Sequence, residues 1–145
     1  MEVSTHPDRV QANTAADINA RIRCETQVRL ERLAQEGPAA IDARLAELDK
    51  EWDIERVLTT NAASLTIVSM ILGATKGRGW FALGGAVAAF LLQHSLQGWC
   101  PPVPVFRKMG VRTQKEIDEE RAALKALRGD FEMVAPDTAL VAAER

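Results

Sequence analysis

VLTTNAASLTIVSMILGAT (residues 57–75) and WFALGGAVAAFLLQHSLQGW (residues 80–99), joined only by KGRG (76–79), decide how this 145-residue chain folds. Neither stretch contains Asp, Glu, Lys or Arg. Each is about long enough to cross a hydrocarbon core of ~30 Å as a helix rising ~1.5 Å per residue. A four-residue, Gly-rich turn between them predicts a helical hairpin that enters and leaves on one side. The competing reading is a soluble bundle with these two helices at its centre. Thr59, Thr60, Asn61, Ser64, Thr66, Ser69, Gln93, His94, Ser95 and Gln97 favour it. Against it, a soluble bundle would place charge on the outer face of each helix, and neither has any.

Working outward, the basic residues Arg44, Lys50 and Arg56 precede the first span, and Arg107, Lys108, Arg112 and Lys115 follow the second. Only Lys76 and Arg78 mark the turn. The positive-inside rule then places both termini in the cytoplasm. His6, Asp8, Arg9 and Asp17 lie where the apolar core of a signal peptide would have to be.

Ahead of the hairpin, Ile41, Leu45, Leu48 and Trp52 follow 4-3-4 spacing and form one stripe. The same rhythm continues through Glu55, Thr59, Ala62, Thr66, Ser69 and Gly73. No Gly or Pro interrupts residues 39–72. The pattern therefore predicts a single helix of roughly 35 residues, about 50 Å long, running from an amphipathic cytoplasmic part into the membrane. Large knobs on its stripe give way to Thr, Ala, Ser and Gly, the residues that let helices approach closely in lipid. On the second span, Gly84 with Ala88 and Gly85 with Ala89 form small-xxx-small pairs of the same kind.

The flanks also read as helical. Residues 1–13 form a loose polar arm. Thr14 and Asp17 offer a capping-box-like start to a helix that Gly37-Pro38 ends, and Arg29 interrupts its apolar side. Pro101, Pro102 and Pro104 terminate the second span. Thr113 and Glu116 start a last helix, stopped at Gly129, whose charged run 115–120 reads as a solvated face. The tail beyond Pro136 is expected to fray. The fold class is all-α: a transmembrane helical hairpin continuous with a cytoplasmic amphipathic helix, with further cytoplasmic helices on either side. Its expected organisation is a cytoplasmic helical region over 1–56, the hairpin over 57–100, and a cytoplasmic helix and tail over 101–145.

Composition narrows the function classes. The net charge is −2, and no basic, aromatic-interleaved patch suggests nucleic acid. Cys24 and Cys100 make neither a CxxC nor a disulfide framework. With only His6 and His94 beside them, no metal site and no cofactor is expected. Numbering the hairpin about its turn places Asn61 opposite His94 and Glu55 near Cys100. Asn61, Gln93, His94 and Gln97 then form an intramembrane polar cluster, read first as hydrogen-bonding glue between helices. Glu55 would snorkel to water or pair with Arg56 or Arg107. Cys100, packed beneath Trp99 or made reactive by a charged His94, is the candidate redox thiol. Cys24 is incidental.

The segment Leu96-Gln97-Gly98-Trp99-Cys100-Pro101-Pro102, followed by Met109-Gly110-Val111-Arg112-Thr113, resembles the YgaP-like transmembrane domain family. Asn61 and Gly73 are similar to the Asn and Gly of that family's first span, and the likeness covers about residues 57–115. It implies a small two-helix bacterial inner-membrane module with a Cys-Pro after the second helix and a Gly-x-x-Thr helix start. The family has no settled activity; in one architecture its hairpin is fused to a rhodanese domain. Here the first 56 residues carry no rhodanese, and Ala62-Ala63-Ser64 stand where the family has an Asp-Arg pair.

Two functions follow as expectations. The first is a non-enzymatic anchor, scaffold or accessory subunit in the lipid bilayer. It would associate as a homo-oligomer, a dimer foremost, through its small-residue faces and offer its charged helices to a protein partner. The alternative is a redox or sulfur-handling accessory using Cys100 near His94.

Overall fold

A computed structural model describes residues 8–131, and among these every regular element is helical. In chain order they are α1 (Arg9–Ala12), α2 (Ala16–Glu36), α3 (Pro38–Leu48), α4 (Ile54–Thr75), α5 (Gly79–Gln97), α6 (Val103–Lys108) and α7 (Gln114–Arg128). The chain divides into two packed units, each assembled from separated stretches rather than consecutive ones. Among the described residues, 8–20 join Trp52–Gln114, and Arg21–Glu51 joins 115–131. The tail after Pro136 lies outside the described residues.

The first unit is dominated by α4 and α5, which pack against each other along their length. A Cβ on Gly84 would lie 3.3 Å from Ser69 Cβ, and one on Gly73 would overlap the Phe81 ring at 2.7 Å. These contacts fix an antiparallel register around the turn at Lys76, Gly77 and Arg78. Both helices are long and apolar enough to cross a membrane, and only 17% of the apolar window of α4 and 11% of that of α5 is buried. Ile67, Ile71, Leu92 and Leu96 are among the large apolar side chains left exposed.

At the open end of this pair, Val10, Ile54, Leu58, Cys100 and Val103 form a small core, with Phe106 and Val111 packed on it. The segment after α6 shows why a glycine stands at 110. Gly110 takes φ 89°. Its amide bonds to Arg107 O, and that of Val111 bonds to Phe106 O. This is the paired closure that ends a helix through a left-handed residue, with the apolar contact that accompanies it.

Residues 8–13 are not the loose arm that composition suggested. Asp8 caps α1 by accepting from the Gln11 amide, and Gln11 reciprocates through its side chain. Thr14 spends its hydroxyl on Val10 O rather than on a cap for α2.

The second unit has its own core. Leu33 from α2, Ile41 and Leu48 from α3, and Ile117 and Leu124 from α7 are buried together, with Leu30, Ala40 and Leu45 against them. The Ile41, Leu45 and Leu48 stripe is thus packed as its spacing predicts.

The single helix expected over 39–72 is a correction. α3 ends at Leu48 and α4 begins at Ile54. The last turn of α3 tightens, with Lys50 N bonding Glu47 O and Glu51 N bonding Leu48 O. Asp53 is extended (φ −72°, ψ 166°) and its carboxylate accepts from Arg56 N. The Ile54 amide goes to Arg112 O at 2.9 Å. A capping Asp and one long-range backbone bond break the helix without Gly or Pro. Trp52 consequently leaves the stripe: it is exposed, with the Arg56 guanidinium 4.3 Å above its ring.

Candidate functional site

The most unusual feature of the helix pair is a charged residue and a histidine meeting across it. Glu55, in the first turn of α4, places Oε2 2.9 Å from Nε2 of His94 near the end of α5. The His94 side chain is 1% exposed and that of Glu55 is 52% exposed, so the pair links solvent to a buried ring. A carboxylate only accepts, so Nε2 carries the proton and donates. In the neutral imidazole Nδ1 is then an acceptor, and it has no hydrogen-bond partner among the described residues. Leaving such a buried atom unsatisfied costs about 1–3 kcal/mol.

The expected polar cluster is not assembled. Asn61 is exposed and donates from Nδ2 to Val57 O of its own helix at 2.7 Å. Gln93 is half-buried and Gln97 is exposed. Only His94 of the four is enclosed, and its partner is Glu55. The 4-3-4 stripe contains Glu55 and leaves Asn61 one residue off it, which explains the exchange.

The packing residues divide in the same way. Ser69, Gly73 and Gly84 are buried between the helices, and Ala62 and Thr66 are half-buried there. Thr59, Gly85, Ala88 and Ala89 are exposed. A Cβ on Gly85 would meet nothing within 4 Å. Within one chain, the Gly85 and Ala89 face is therefore uncovered.

Cys100 belongs to the small apolar core rather than to an activated site. Burial pushes its thiol above the ordinary value. A hydrogen bond from the Val103 backbone opposes this, and the negative charge of Glu55 adds to the rise. Cys24 is exposed on α2.

Sequence reasoning missed how the end of α5 is completed. Gly98, left-handed at φ 74°, returns its amide to His94 O at 2.7 Å. The Arg9 guanidinium donates to Ser95 O, and Asn13 Nδ2 donates to Gln97 O at 2.9 Å. A cation and an amide from the N-terminal segment thereby satisfy carbonyls that a helix leaves orphaned at its C-terminus, where positive charge is also favoured. Arg107, counted in the basic flank after the second span, is fully buried and donates to Asn19 Oδ1 at 2.8 Å and to Val111 O at 3.1 Å.

The second unit holds a buried ion network that also escaped the sequence reading. Glu120, expected on a solvated face, is 1% exposed. Its carboxylate receives Arg29 at 3.0 Å and Arg44 at 2.9 Å. Arg44 also reaches Glu47 and Glu51. Burial disfavours the Arg44 charge, but hydrogen bonds to Glu120 and Glu47 more than offset this and raise its pKa. Among the described residues no group of three or more His, Cys, Asp or Glu is placed to hold a metal ion. No family model matches this chain, and no curated protein or solved structure matches it.

Proposed function

We propose that the chain is a non-enzymatic module of the bacterial inner membrane, of the YgaP-like type. In this reading α4 and α5 cross the bilayer as a hairpin with both termini in the cytoplasm. The second unit then serves as a cytoplasmic platform for a partner protein, and the module forms homo-oligomers, dimers foremost, through exposed small-residue faces.

One observation carries the reading. The two longest apolar helices leave most of the residues in their apolar windows unburied within the chain. Side chains such as Ile67, Leu92 and Leu96 are more than half exposed, whereas the core helices of a soluble protein hide theirs. A bilayer covers such a surface, and several hydroxyls of the two helices are internally bonded, as lipid requires. Thr59, Thr66, Ser69, Thr75 and Ser95 each donate to the carbonyl four residues earlier. The basic flanks at the open end supply the orientation.

The redox or sulfur-handling alternative needs a thiolate at Cys100. Burial and the charge of Glu55 both work against one, so the scaffold reading is preferred.

Membrane fractionation with alkaline extraction, combined with topology reporters at Gly77 and at both termini, tests the proposal. Retention in the membrane with Gly77 outside supports it. Recovery of the native chain in the soluble fraction without detergent rejects it.

A further inference from the structure

We infer that the hairpin turn docks the phosphate headgroup of a net-anionic phospholipid in the leaflet that the turn reaches; this rests on the membrane reading above. Lys76 and Arg78 flank Gly77, and all three are exposed. With Gly79, Trp80 and Leu83 they line a hollow of about 400 Å³.

Charge selects the sign of the occupant. No Asp or Glu occurs between Arg56 and Lys115, so the turn carries two cations and the hairpin around it no anion. Glu55, the nearest acid before the turn in sequence, lies about 30 Å away along α4 at the helical rise. That is several Debye lengths at physiological salt. Among the described residues neither Lys76 nor Arg78 makes an ion pair or a side-chain hydrogen bond. Lys and Arg concentrate in cytoplasmic loops. In the topology proposed above, they nevertheless make up half of a four-residue turn on the opposite side.

Shape favours a docked group over a diffuse ion cloud. Gly77 takes φ 149° and needs its glycine for the backbone. Gly79, the first residue of α5, has no such conformation, and a Cβ on it would meet nothing within 4 Å. Neither backbone nor packing within the chain calls for glycine there, and alanine is the better helix former. A missing side chain leaves the backbone open to a group from outside. Trp80, 43% exposed, stands beside the hollow at the depth where indoles meet headgroups. The anion at that depth is a lipid phosphate. A guanidinium fork matches two of its oxygens, and an ammonium adds a point charge. A zwitterionic head brings its own ammonium, which the two cations repel, so a net-anionic head is preferred.

The test uses the full chain carrying Trp52→Phe and Trp99→Phe, so that Trp80 is the remaining indole. It is reconstituted in mixed vesicles of phosphatidylethanolamine and phosphatidylglycerol, with one lipid or the other brominated in its acyl chains. Quenching of Trp80 reads which lipid sits at the turn. Phosphatidylglycerol should be preferred on the order of twentyfold, and less so at high salt. Lys76→Gln and Arg78→Gln should each lower the preference about fivefold, the share of one cation beside anionic headgroups. Gly79→Leu keeps both charges and fills the hollow, and should lower the preference several-fold.

Equal quenching by the two lipids overturns the inference and leaves the membrane reading standing. A preference that the Gln variants remove but Gly79→Leu leaves intact is diffuse attraction, and also overturns it. So does a preference erased by inorganic phosphate at constant ionic strength, because the turn then takes the free anion. Trp80 quenched by neither brominated lipid overturns the membrane reading itself.

Discussion

Glu55 and His94 face each other across the helix pair, with Oε2 2.9 Å from Nε2, the carboxylate half in solvent and the imidazole enclosed. The pair locks the open end of α4 to that of α5 by a charge-assisted hydrogen bond. It also fixes which ring nitrogen carries the proton.

Removing one partner should therefore cost more than removing both. Glu55→Ala leaves a buried imidazole with neither nitrogen satisfied and should destabilise the pair by about 1–3 kcal/mol. Glu55→Ala combined with His94→Leu should recover most of that loss, because two apolar replacements leave nothing unpaired. A double-mutant cycle on unfolding in detergent micelles measures the coupling. Additive effects would mean that the contact carries no energy.

Cys100 should be the slow thiol. With its pKa raised by burial and by Glu55, its thiolate fraction at neutral pH lies below that of a free thiol, whose pKa is about 8.5. Alkylation of the native protein should modify exposed Cys24 first, and Cys100 should catch up as the pH climbs past the ordinary thiol range. In denaturant the two should react alike. The linkage has a definite sign: the stability from keeping Cys100 neutral is full below the unfolded thiol pKa and is lost as pH rises through the higher folded one. Rapid modification of Cys100 near pH 7 that slows in His94→Ala would instead restore the redox reading.

Gly84 and Gly85 should separate packing within the chain from packing between chains. A Cβ at Gly84 already presses on Ser69 at 3.3 Å, whereas one at Gly85 meets open space. Gly84→Leu should destabilise the helix pair by about 1–3 kcal/mol through overpacking. Gly85→Leu should leave the monomer intact and weaken only association, read by crosslinking in membranes. An oligomer indifferent to Gly85→Leu would place the interface on another face.

Several of these features were legible in the sequence and others were not, for identifiable reasons. Uncharged runs and a Gly-rich turn announce two long helices because local composition dictates them. The Ile41, Leu45 and Leu48 stripe announces a packed face because helical periodicity is local too. The break at 49–53 escaped because Asp53 reads equally well as a helical surface residue until Arg112 O, far along the chain, takes the Ile54 amide. Asn61 looked like the partner of His94 because a symmetric hairpin fixes level along the helices but not the direction in which a side chain points. Arg29 looked like a flaw in an apolar face. Its reason is Glu120, 91 residues away, and no local pattern encodes that.

Gly98 should tolerate no side chain. It sits at φ 74°, where an L-residue is strained by about 1–2 kcal/mol. An added Cβ would also lie 2.4 Å from Arg9 Cβ and 2.6 Å from the Arg9 carbonyl carbon. Gly98→Ala should push α1 away, freeing the carbonyls of Ser95 and Gln97 that Arg9 and Asn13 now serve. Faster amide exchange over residues 9–13 and readier proteolysis there would register it. Unchanged exchange would mean that the N-terminal segment is held by Val10 in the apolar core rather than by its polar contacts.

The Glu120 network offers the largest expected effect. Its carboxylate is fully enclosed and receives two guanidinium groups, one of which, on Arg44, also holds Glu47 and Glu51. Glu120→Gln preserves the shape but leaves Arg29 and Arg44 without their shared anion in a partly desolvated site. Breaking one side of such a pair should cost about 3 kcal/mol, more than any surface ion pair supplies. Replacing Glu120 and Arg29 together by Leu and Met should cost much less, because the site then loses charge and countercharge at once. Hydrogen exchange at Leu33, Ile41 and Leu124, the core beside the network, reads both variants. If Glu120→Gln leaves those amides as protected as before, the network is an ornament on a core held by its leucines and isoleucines alone.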